Sequence, residues 1–419
     1  MYGLADCNNF FVSCERVFNP GLNGRPVIIL SNNDGCVISR SNEAKRIGIK
    51  MGQPFYQLGE IIRRYDVAVF SSNYILYGDM SQRVQRTLQS LVPATEVYSI
   101  DESFLDLRGV DQERLDDFGH HISYIVQRNT GIPISVGISP TKTLAKIASK
   151  LCKQYPKLRG SCFMHRPQDI EKVLRKFPIE DVWGVGRRFS VLLKSQGVQT
   201  AYDFTKLTES RVRQLMHIGG VKTWYELHGK PCIEFEEIGK DKQQITVSRS
   251  FSQELKTAED LQQQVALFAS MAAEKLRKQQ SVCCAILVFA MTNRHRTDKP
   301  QQFANRLVTL PAPTDSTLEL SHIATSVIAE LIKPGYDYKK AGVVLSDIQP
   351  KDNVQTVLFD EIDHDKHSRL MSVLDDINRK QGNHSVVVAA AGFDGVKMNR
   401  QHLSKNYTSD WNDILTISL

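Results

Sequence analysis

The chain opens Met1-Tyr2-Gly3-Leu4-Ala5-Asp6-Cys7-Asn8-Asn9-Phe10-Phe11, and this stretch decides how its first domain is built. Met1–Ala5 is apolar and short, which reads as a buried strand. Asn8 is a plausible helix cap, and Asn9–Val17 has the apolar spacing of a helix. Asp6 therefore stands at the carboxyl edge of a sheet, just before a helix. Working outward, Pro26–Leu30 (with Val27-Ile28-Ile29) is a second strand and Asn42–Ile47 a short helix ended by Gly48. Thr95–Leu107 reads as strand, tight turn, strand, Gln112–Arg128 as a helix and Ile134–Ile138 as a strand. Ser139-Pro140 has the cap-then-proline form of a helix start. Strands interleaved with helices make residues 1–165 a layered α/β or α+β domain.

Beyond it the pattern changes. Residues 166–230 are helical, with glycine breaks at Gly184, Gly186, Gly197 and Gly219-Gly220. Glu234–Gln244 is polar and reads as a linker. Residues 245–350 then run strand, helix, strand, strand, helix, strand, over Ile245–Phe251, Ala258–Lys278, Cys283–Met291, Phe303–Leu310, Asp315–Leu331 and Ala341–Ile348. Past Pro350 the chain is acidic and turn-rich, with one helix near His367–Arg379.

Composition narrows the function. The 419 residues suggest about three domains. The apolar run Cys283–Met291 is far short of the ~18 residues that span a bilayer. The first residues lack a basic region, which argues against a secretory signal. The 8 cysteines form no CxxC pair, as expected of reduced thiols in a cytoplasmic protein. The formal net charge of +7 is concentrated early, residues 166–230 alone holding 12 basic and 7 acidic side chains. A basic excess permits a nucleic-acid partner without requiring one.

Three acids stand out: Asp6, Asp101 and Glu102. The last two lie in Tyr98-Ser99-Ile100-Asp101-Glu102-Ser103-Phe104, among apolar neighbours, where a carboxylate is costly unless paired or metal-bound. Adjacent strand residues face opposite ways, so Asp101 and Glu102 share a ligand only if a turn brings them together. Carboxylates on separate strands suit Mg²⁺, which prefers oxygen donors and substrate phosphates. The blander reading, turn acids and a helix cap, is favoured by spacing alone. Lys142, Lys146, Lys150 and Lys153 fall on one narrow stripe of a helix, with Leu144, Ile147, Ala148 and Leu151 opposite. With no compensating acid in the stripe, it suits a triphosphate or a DNA backbone as well as it suits a solvated face. Asn42, Lys45 and Arg46 form a smaller polar cluster. Val182-Trp183-Gly184-Val185-Gly186-Arg187-Arg188 has the form of a helix–hairpin–helix, whose amides and arginines can hold a DNA phosphate.

Taken together these segments resemble the Y-family of translesion DNA polymerases, the UmuC type in particular. The likeness runs nearly end to end. It is carried by Ala5–Glu15, Ser31–Arg40, Phe70-Ser71-Ser72-Asn73-Tyr74, Ser99–Glu102, Thr141–Lys146, Asp181–Arg188 and Lys340-Ala341-Gly342-Val343. It implies an α+β right-hand polymerase. Residues 1–12 and 70–165 would be the palm, 13–69 the fingers and 166–230 the thumb. A linker at 231–243 would lead to a βαββαβ little finger at 244–350 and a partner-binding tail at 351–419. The activity implied is error-prone, DNA-templated synthesis in the DNA-damage (SOS) response by two-metal-ion nucleotidyl transfer. Asp6, Asp101 and Glu102 would be the catalytic acids, holding two Mg²⁺ ions with the Cys7 carbonyl. Phe10, Phe11, Asn42, Lys45 and Lys153 would meet the dNTP, Phe11 as the steric gate against a ribose 2′-hydroxyl. Related polymerases often carry aromatic and arginine side chains where Asn42 and Lys45 stand. Gly184, Gly186, Arg187, Arg188 and Arg249 would contact primer-template DNA. Gln355, Leu358 and Phe359 match a sliding-clamp peptide. A cleaved UmuD-type dimer and a recombinase filament are the other implied partners, and no membrane is. The rivals are a polymerase that needs no UmuD-type partner and a non-enzymatic, clamp-associated DNA-binding factor.

Overall fold

The computed structural model describes residues 1–236, 239–353, 362–382, 385–392 and 398–415. The chain divides into two compact units, Met1–Gly239 with Gln401–Leu419, and Lys240–Arg400.

The first unit runs in chain order β1 (Tyr2–Cys7), α1 (Phe10–Phe18), β2 (Val27–Leu30), β3 (Val37–Arg40), α2 (Asn42–Arg46), α3 (Gly59–Tyr65), β4 (Ala68–Ser71) and α4 (Tyr74–Gln89). It continues through β5 (Thr95–Val97), β6 (Glu102–Asp106), α5 (Leu115–Thr130), β7 (Ile134–Ser139), α6 (Lys142–Gln154) and β8 (Ser161–Phe163). Four helices follow: α7 (Pro167–Leu174), α8 (Arg187–Ser195), α9 (Ala201–Thr205) and α10 (Glu209–Leu227). The central sheet has the order β5-β6-β1-β7-β8, with β1 antiparallel to both neighbours. A smaller sheet, β3-β2-β4, carries the fully buried Val27-Ile28-Ile29-Leu30 strand in its middle.

Helix α6 lies across β7 so closely that a Cβ on Gly137 would fall 2.2 Å from the Ala145 carbonyl oxygen. Only glycine permits that approach. Leu144, Ile147 and Ala148 pack into a core with Leu174, Phe177, Ile179 and Val182, while Ala145 packs against Leu4 and Phe104. Both sides of α6 are therefore covered.

The second unit holds β9 (Ile245–Leu255), α11 (Ala258–Lys278), β10 (Ser281–Thr292), β11 (Phe303–Thr314), α12 (Thr317–Leu331), β12 (Tyr338–Pro350) and α13 (His364–Gln381). Its antiparallel sheet has the order β11-β10-β12-β9, and α11 and α12 cover one face with Leu261, Val265, Phe268, Leu320 and Ile328. This is the βαββαβ pattern read from the sequence, with strands that extend past the expected ends. Among the described residues no helix is long and apolar enough to cross a membrane. All eight cysteines are free thiols.

Several local expectations are corrected. The cap of α1 is Asn9, in a left-handed conformation at φ 46, and Asn8 instead accepts a bond from the Ser135 hydroxyl at 2.9 Å. Helix α6 starts after Thr141, whose hydroxyl accepts from the Leu144 amide at 3.3 Å, so Ser139-Pro140 precedes the helix. Gly219-Gly220 does not break α10; the kink is at His217, with φ 56 and ψ −162.

Candidate functional site at the edge of the central sheet

Register puts Asp6 directly opposite Glu102 on β1 and β6, so both side chains leave the same face. Asp101 lies outside the strand, in a turn where the Tyr98 and Ser99 amides both donate to the Glu102 carbonyl. Its own carbonyl accepts from the Cys7 amide at 2.8 Å, and its carboxylate accepts from the Ser99 hydroxyl at 2.6 Å. Asp101 thus lies in a turn and Glu102 begins the strand, so strand alternation does not govern the pair.

The acids meet lysines of α6. The Lys153 ammonium lies 2.5 Å from Asp6, and that of Lys146 lies 2.8 Å from Glu102. Lys146 also sits over the Tyr98 ring, 4.2 Å from its centroid. Burial pushes the Asp6 carboxyl up to about 6; Lys153 opposes the shift, and the nearby Glu102 and Asp101 carboxylates add to it. Burial likewise holds the Cys7 thiol well above its ordinary range.

The lysine stripe is not the free face expected. Lys142 is buried between Glu96 and the rings of Phe104 and Phe235, and it donates to the Glu234 carbonyl at 2.6 Å. Lys150 pairs with Asp181 at 2.7 Å. Each of the four lysines has an acid from a different element, which a single-helix view does not contain.

Beside these acids lies an open cleft of about 270 Å³, lined by Phe10, Phe11, Arg40, Lys45, Asp101 and Lys153 among others. The Lys45 ammonium donates to Asn9 at 2.7 Å and to Asn42 at 3.1 Å. Partial burial lowers the proton affinity of Lys45, and the positive charges of Arg40 and Lys153 lower it further. Three cations converge on one cleft, which is an environment for an anion. Phe11 stacks on Tyr77 with centroids 4.5 Å apart and meets Tyr74 edge-on at 5.9 Å. The sequence reading brought Phe10, Phe11, Asn42, Lys45 and Lys153 to this place. It gave no role to Arg40 or Asn9, although Arg40 stands inside the quoted Ser31–Arg40 segment, and it gave Lys146 only the general reading of the lysine stripe.

The glycine hairpin abuts the site through Trp183, whose ring centroid lies 5.4 Å from the Lys146 ammonium. Val182 and Val185 are buried, and the Val185 amide donates to the Val182 carbonyl at 3.0 Å. Gly184 has φ +91, and a Cβ there would lie 2.5 Å from the Thr223 hydroxyl. Gly186 caps α8, leaving Arg187 and Arg188 exposed at its first turn. Trp183 is taken up internally, its indole N–H donating to the Tyr98 hydroxyl at 3.0 Å. Arg249 belongs to the second unit, on β9 opposite Ala341, and donates to the Ser248 carbonyl at 2.9 Å. Gln355, Leu358 and Phe359 lie outside the described residues.

Among the described residues no three His, Cys, Asp or Glu side chains are arranged as they stand to hold a metal ion. Lysines occupy two of the expected carboxylates, Asp6 and Glu102. The donors nonetheless fit a hard cation: they are carboxylate oxygens, mutually close enough to raise the proton affinity of Asp6, and already neutralised by positive charge.

Known proteins share this sequence and this architecture. The family model described as the impB/mucB/samB family matches residues 5–150, and that of its C-terminal domain matches 242–358. A domain of unknown function matches 368–417. The chain is 40% identical over 421 residues to Protein UmuC of Salmonella typhimurium, covering 100% of both. The chain belongs to the impB/mucB/samB family. It is also 41% identical over 419 residues to Protein ImpB of Salmonella typhimurium, covering 99% of each chain. DNA polymerase IV of Brucella melitensis is 25% identical over 393 residues, 91% of this chain and 83% of that one. Among solved structures, a Y-family DNA polymerase chimera of Dbh and Dpo4 matches with a TM-score of 0.68 at 19% identity, covering 83% of this chain and 99% of the other. The insertion ternary complex of Dbh DNA polymerase matches with a TM-score of 0.56 at 20% identity, with the same coverage. The fold is that of a UmuC-like Y-family DNA polymerase, α+β with a further C-terminal domain.

Proposed function

We propose that the chain is an error-prone, DNA-templated DNA polymerase that performs translesion synthesis in the DNA-damage response. The observation that carries this reading is the meeting, at one sheet edge, of Asp6, Asp101 and Glu102 with an aromatic-walled cleft holding Lys45, Arg40 and Lys153. In this reading β1, β5–β8 and their helices are the palm, residues 13–69 the fingers, 166–230 the thumb and 244–350 the little finger. Residues 351–419 are the tail.

The cleft binds the triphosphate of a dNTP through Lys45, Arg40 and Lys153, with Asn9 and Asn42 holding the Lys45 side chain in place. Phe11, flat against Tyr77, is the wall that excludes a ribose 2′-hydroxyl. Lys146 and Lys153 keep Glu102 and Asp6 paired until the substrate arrives. Asp6, Asp101 and Glu102, with the Cys7 carbonyl, are the groups that would hold two Mg²⁺ ions. Such ions, when bound, stabilise the charge that develops on attacking and leaving oxygens. The protein's own contribution is chiefly positioning and electrostatics. Arg187, Arg188 and the amides at Gly184 and Gly186 hold a phosphate of the primer-template, and Arg249 holds another. The sliding clamp docks through Gln355, Leu358 and Phe359. A cleaved UmuD-type dimer and a recombinase filament complete a cytoplasmic assembly.

The test is primer extension with Mg²⁺ and dNTPs across an abasic template. The chain is assayed alone and with a cleaved UmuD-type dimer, clamp and recombinase. Extension that requires those partners and is lost in Asp101→Asn, with DNA binding retained, supports the reading. Extension by the chain alone would select the self-sufficient class. DNA and clamp binding with no incorporation under any condition would replace the polymerase by a binding factor.

A further inference from the structure

Phe70–Tyr74 and Gln401–Tyr407 have no part in the mechanism above, yet they meet. Gln401–Tyr407 runs along the first unit as an ordered strap. Its Gln401 amide donates to Asp34 at 3.0 Å. His402 pairs with Ser71 of β4 in both directions, its amide donating to the Ser71 hydroxyl at 3.0 Å and its carbonyl accepting from the Ser71 amide at 2.9 Å. The buried Asn73 caps α4 through its side-chain oxygen, which accepts from Leu76 at 3.2 Å. With its other end Asn73 grips the strap, donating to the Ser404 carbonyl at 3.2 Å and the Lys405 carbonyl at 3.3 Å. Tyr407 stacks on Phe18 at the end of α1, with centroids 4.8 Å apart.

One contact leads to the cleft. The Ser404 hydroxyl donates to Glu15 Oε1 at 2.9 Å, and the same oxygen accepts from the Tyr77 hydroxyl at 2.7 Å. Glu15 is 2% exposed and lies one helical turn after Phe11, on the same side of α1. Tyr77 is the ring on which Phe11 lies flat. A buried carboxylate with few donors is a sensitive joint: burial raises the proton affinity of Glu15, and the Tyr77 and Ser404 hydroxyls are what oppose it.

We infer that Gln401–Tyr407 is a positioning strap for the sugar gate, in which Ser404, through Glu15 and Tyr77, fixes the Phe11 ring and so sets discrimination against ribonucleotides. The inference rests on the polymerase reading and on Phe11 as its gate. It assigns work to part of the tail region that matches a domain of unknown function.

The experiment measures single-nucleotide insertion of dNTP and rNTP by the full chain in its active assembly, for wild type, Ser404→Ala, Ser404→Thr, Phe11→Ala and Phe11→Ala/Ser404→Ala. Hydrogen exchange of the α1 amides is followed in the same proteins. Ser404→Ala is expected to reduce dNTP-over-rNTP selectivity about tenfold, the scale of one hydrogen bond to a charged acceptor. The change should lie in the KM for rNTP, with kcat for dNTP unaltered. Ser404→Thr, which keeps the hydroxyl, should restore selectivity, and in the Phe11→Ala background Ser404→Ala should add nothing. Exchange of the α1 amides should quicken in Ser404→Ala alone among the two serine variants. Unchanged selectivity in Ser404→Ala, or the same loss with and without Phe11, overturns the inference. If wild type incorporates no dNTP the polymerase reading fails, and if Phe11→Ala leaves selectivity unchanged the gate fails. The exchange at α1 then decides by itself whether the strap holds that helix: unaltered exchange in Ser404→Ala overturns the strap, and faster exchange upholds it.

Discussion

The two ends of α6 use the same residue type in opposite ways. At the amino end everything is enclosed. Glu226 is fully buried, and its carboxylate accepts from the backbone amides of Thr143, Cys232 and Ile233 at 2.9, 2.8 and 3.2 Å. Beside it Lys142 is 1% exposed and held by Glu96, a carbonyl and two rings. At the carboxyl end Lys153 is 36% exposed, and its ammonium opposes the effect of burial on its acid, Asp6. A lysine locked among fixed partners holds the fold, whereas one beside an open cleft can exchange its carboxylate for a phosphate. The spacing that puts both on one stripe says nothing of this difference. What decides it is what packs above each position.

The largest expected effect tests the enclosed end. Lys142→Ala leaves Glu96 facing a buried gap and should lower the stability of the first unit by about 3–5 kcal/mol, the usual consequence of orphaning one partner of a buried pair. Denaturant unfolding followed by tryptophan fluorescence reads it, since Trp183 packs tilted against Phe104, the ring that Lys142 lies over. The double variant Lys142→Met/Glu96→Gln should recover most of the loss, since replacing a buried pair by groups of like volume is often neutral. No recovery would mean that the charge itself, and not its pairing, matters.

Lys153→Ala should do the reverse. Lys153 is 36% exposed and Asp6 14%, so an orphaned Asp6 can take up a proton, and the stability loss should be smaller than that of Lys142→Ala. The KM for dNTP should rise about 10-fold to 100-fold, the scale of one charge-assisted hydrogen bond. A stability loss like that of Lys142→Ala would erase the distinction between the two ends. Asp6 gives a pH signature of the same pair. Its folded-state carboxyl is near 6 with no cation bound, above the ordinary 3.8, so the acid limb of dNTP binding measured without Mg²⁺ should lie near 6. Because Lys153 lowers the carboxyl, Lys153→Ala should move that limb to higher pH.

Asp6→Asn sharpens the point through stability. A carboxyl raised in the folded state favours folding below its unfolded pKa, and that contribution is lost as pH rises through about 6. The variant should therefore match wild type below about pH 4 and exceed it by about 2–3 kcal/mol above about pH 7, because each tenfold change in proton affinity is worth ~1.4 kcal/mol. Thermal unfolding at the two pH values measures it. A variant less stable than wild type at neutral pH would show that the Lys153 pair outweighs burial. The site would then be one built for stability and not for exchange.

Much of this was readable in the residues. The apolar run to Asp6 placed the acid at the sheet edge, because period and polarity change together there. The βαββαβ order of 245–350 followed from alternation between strand and helix patterns. What stayed hidden was everything set by chain segments distant in sequence. The acids that answer the four lysines come from β1, β5, β6 and the Ile179–Asp181 turn, and no spacing rule links them. Asn8 and Asn9 compete for one cap, and Asn9 takes it because a left-handed residue is needed where β1 turns into α1. Ser404 and Glu15 are 389 positions apart, and only the folded strap brings them together.

The smallest effect belongs to the middle of the helix. Lys150 pairs with Asp181 at 2.7 Å, and the two side chains are 37% and 38% exposed. Its ammonium also lies 5.3 Å from the centroid of the Phe177 ring. Water screens such a pair, and holding two long side chains in one geometry costs rotamer freedom, so exposed pairs contribute about 0–1 kcal/mol. Lys150 does not line the cleft that holds Lys45 and Lys153. Lys150→Ala should therefore shift unfolding by no more than about 1 kcal/mol and leave the KM for dNTP unchanged, with the small stability loss shrinking further in high salt. A rise in KM matching that of Lys153→Ala would mean that the whole stripe, and not only its open end, faces the nucleotide. The partner each lysine has in the fold would then be a poor guide to its work.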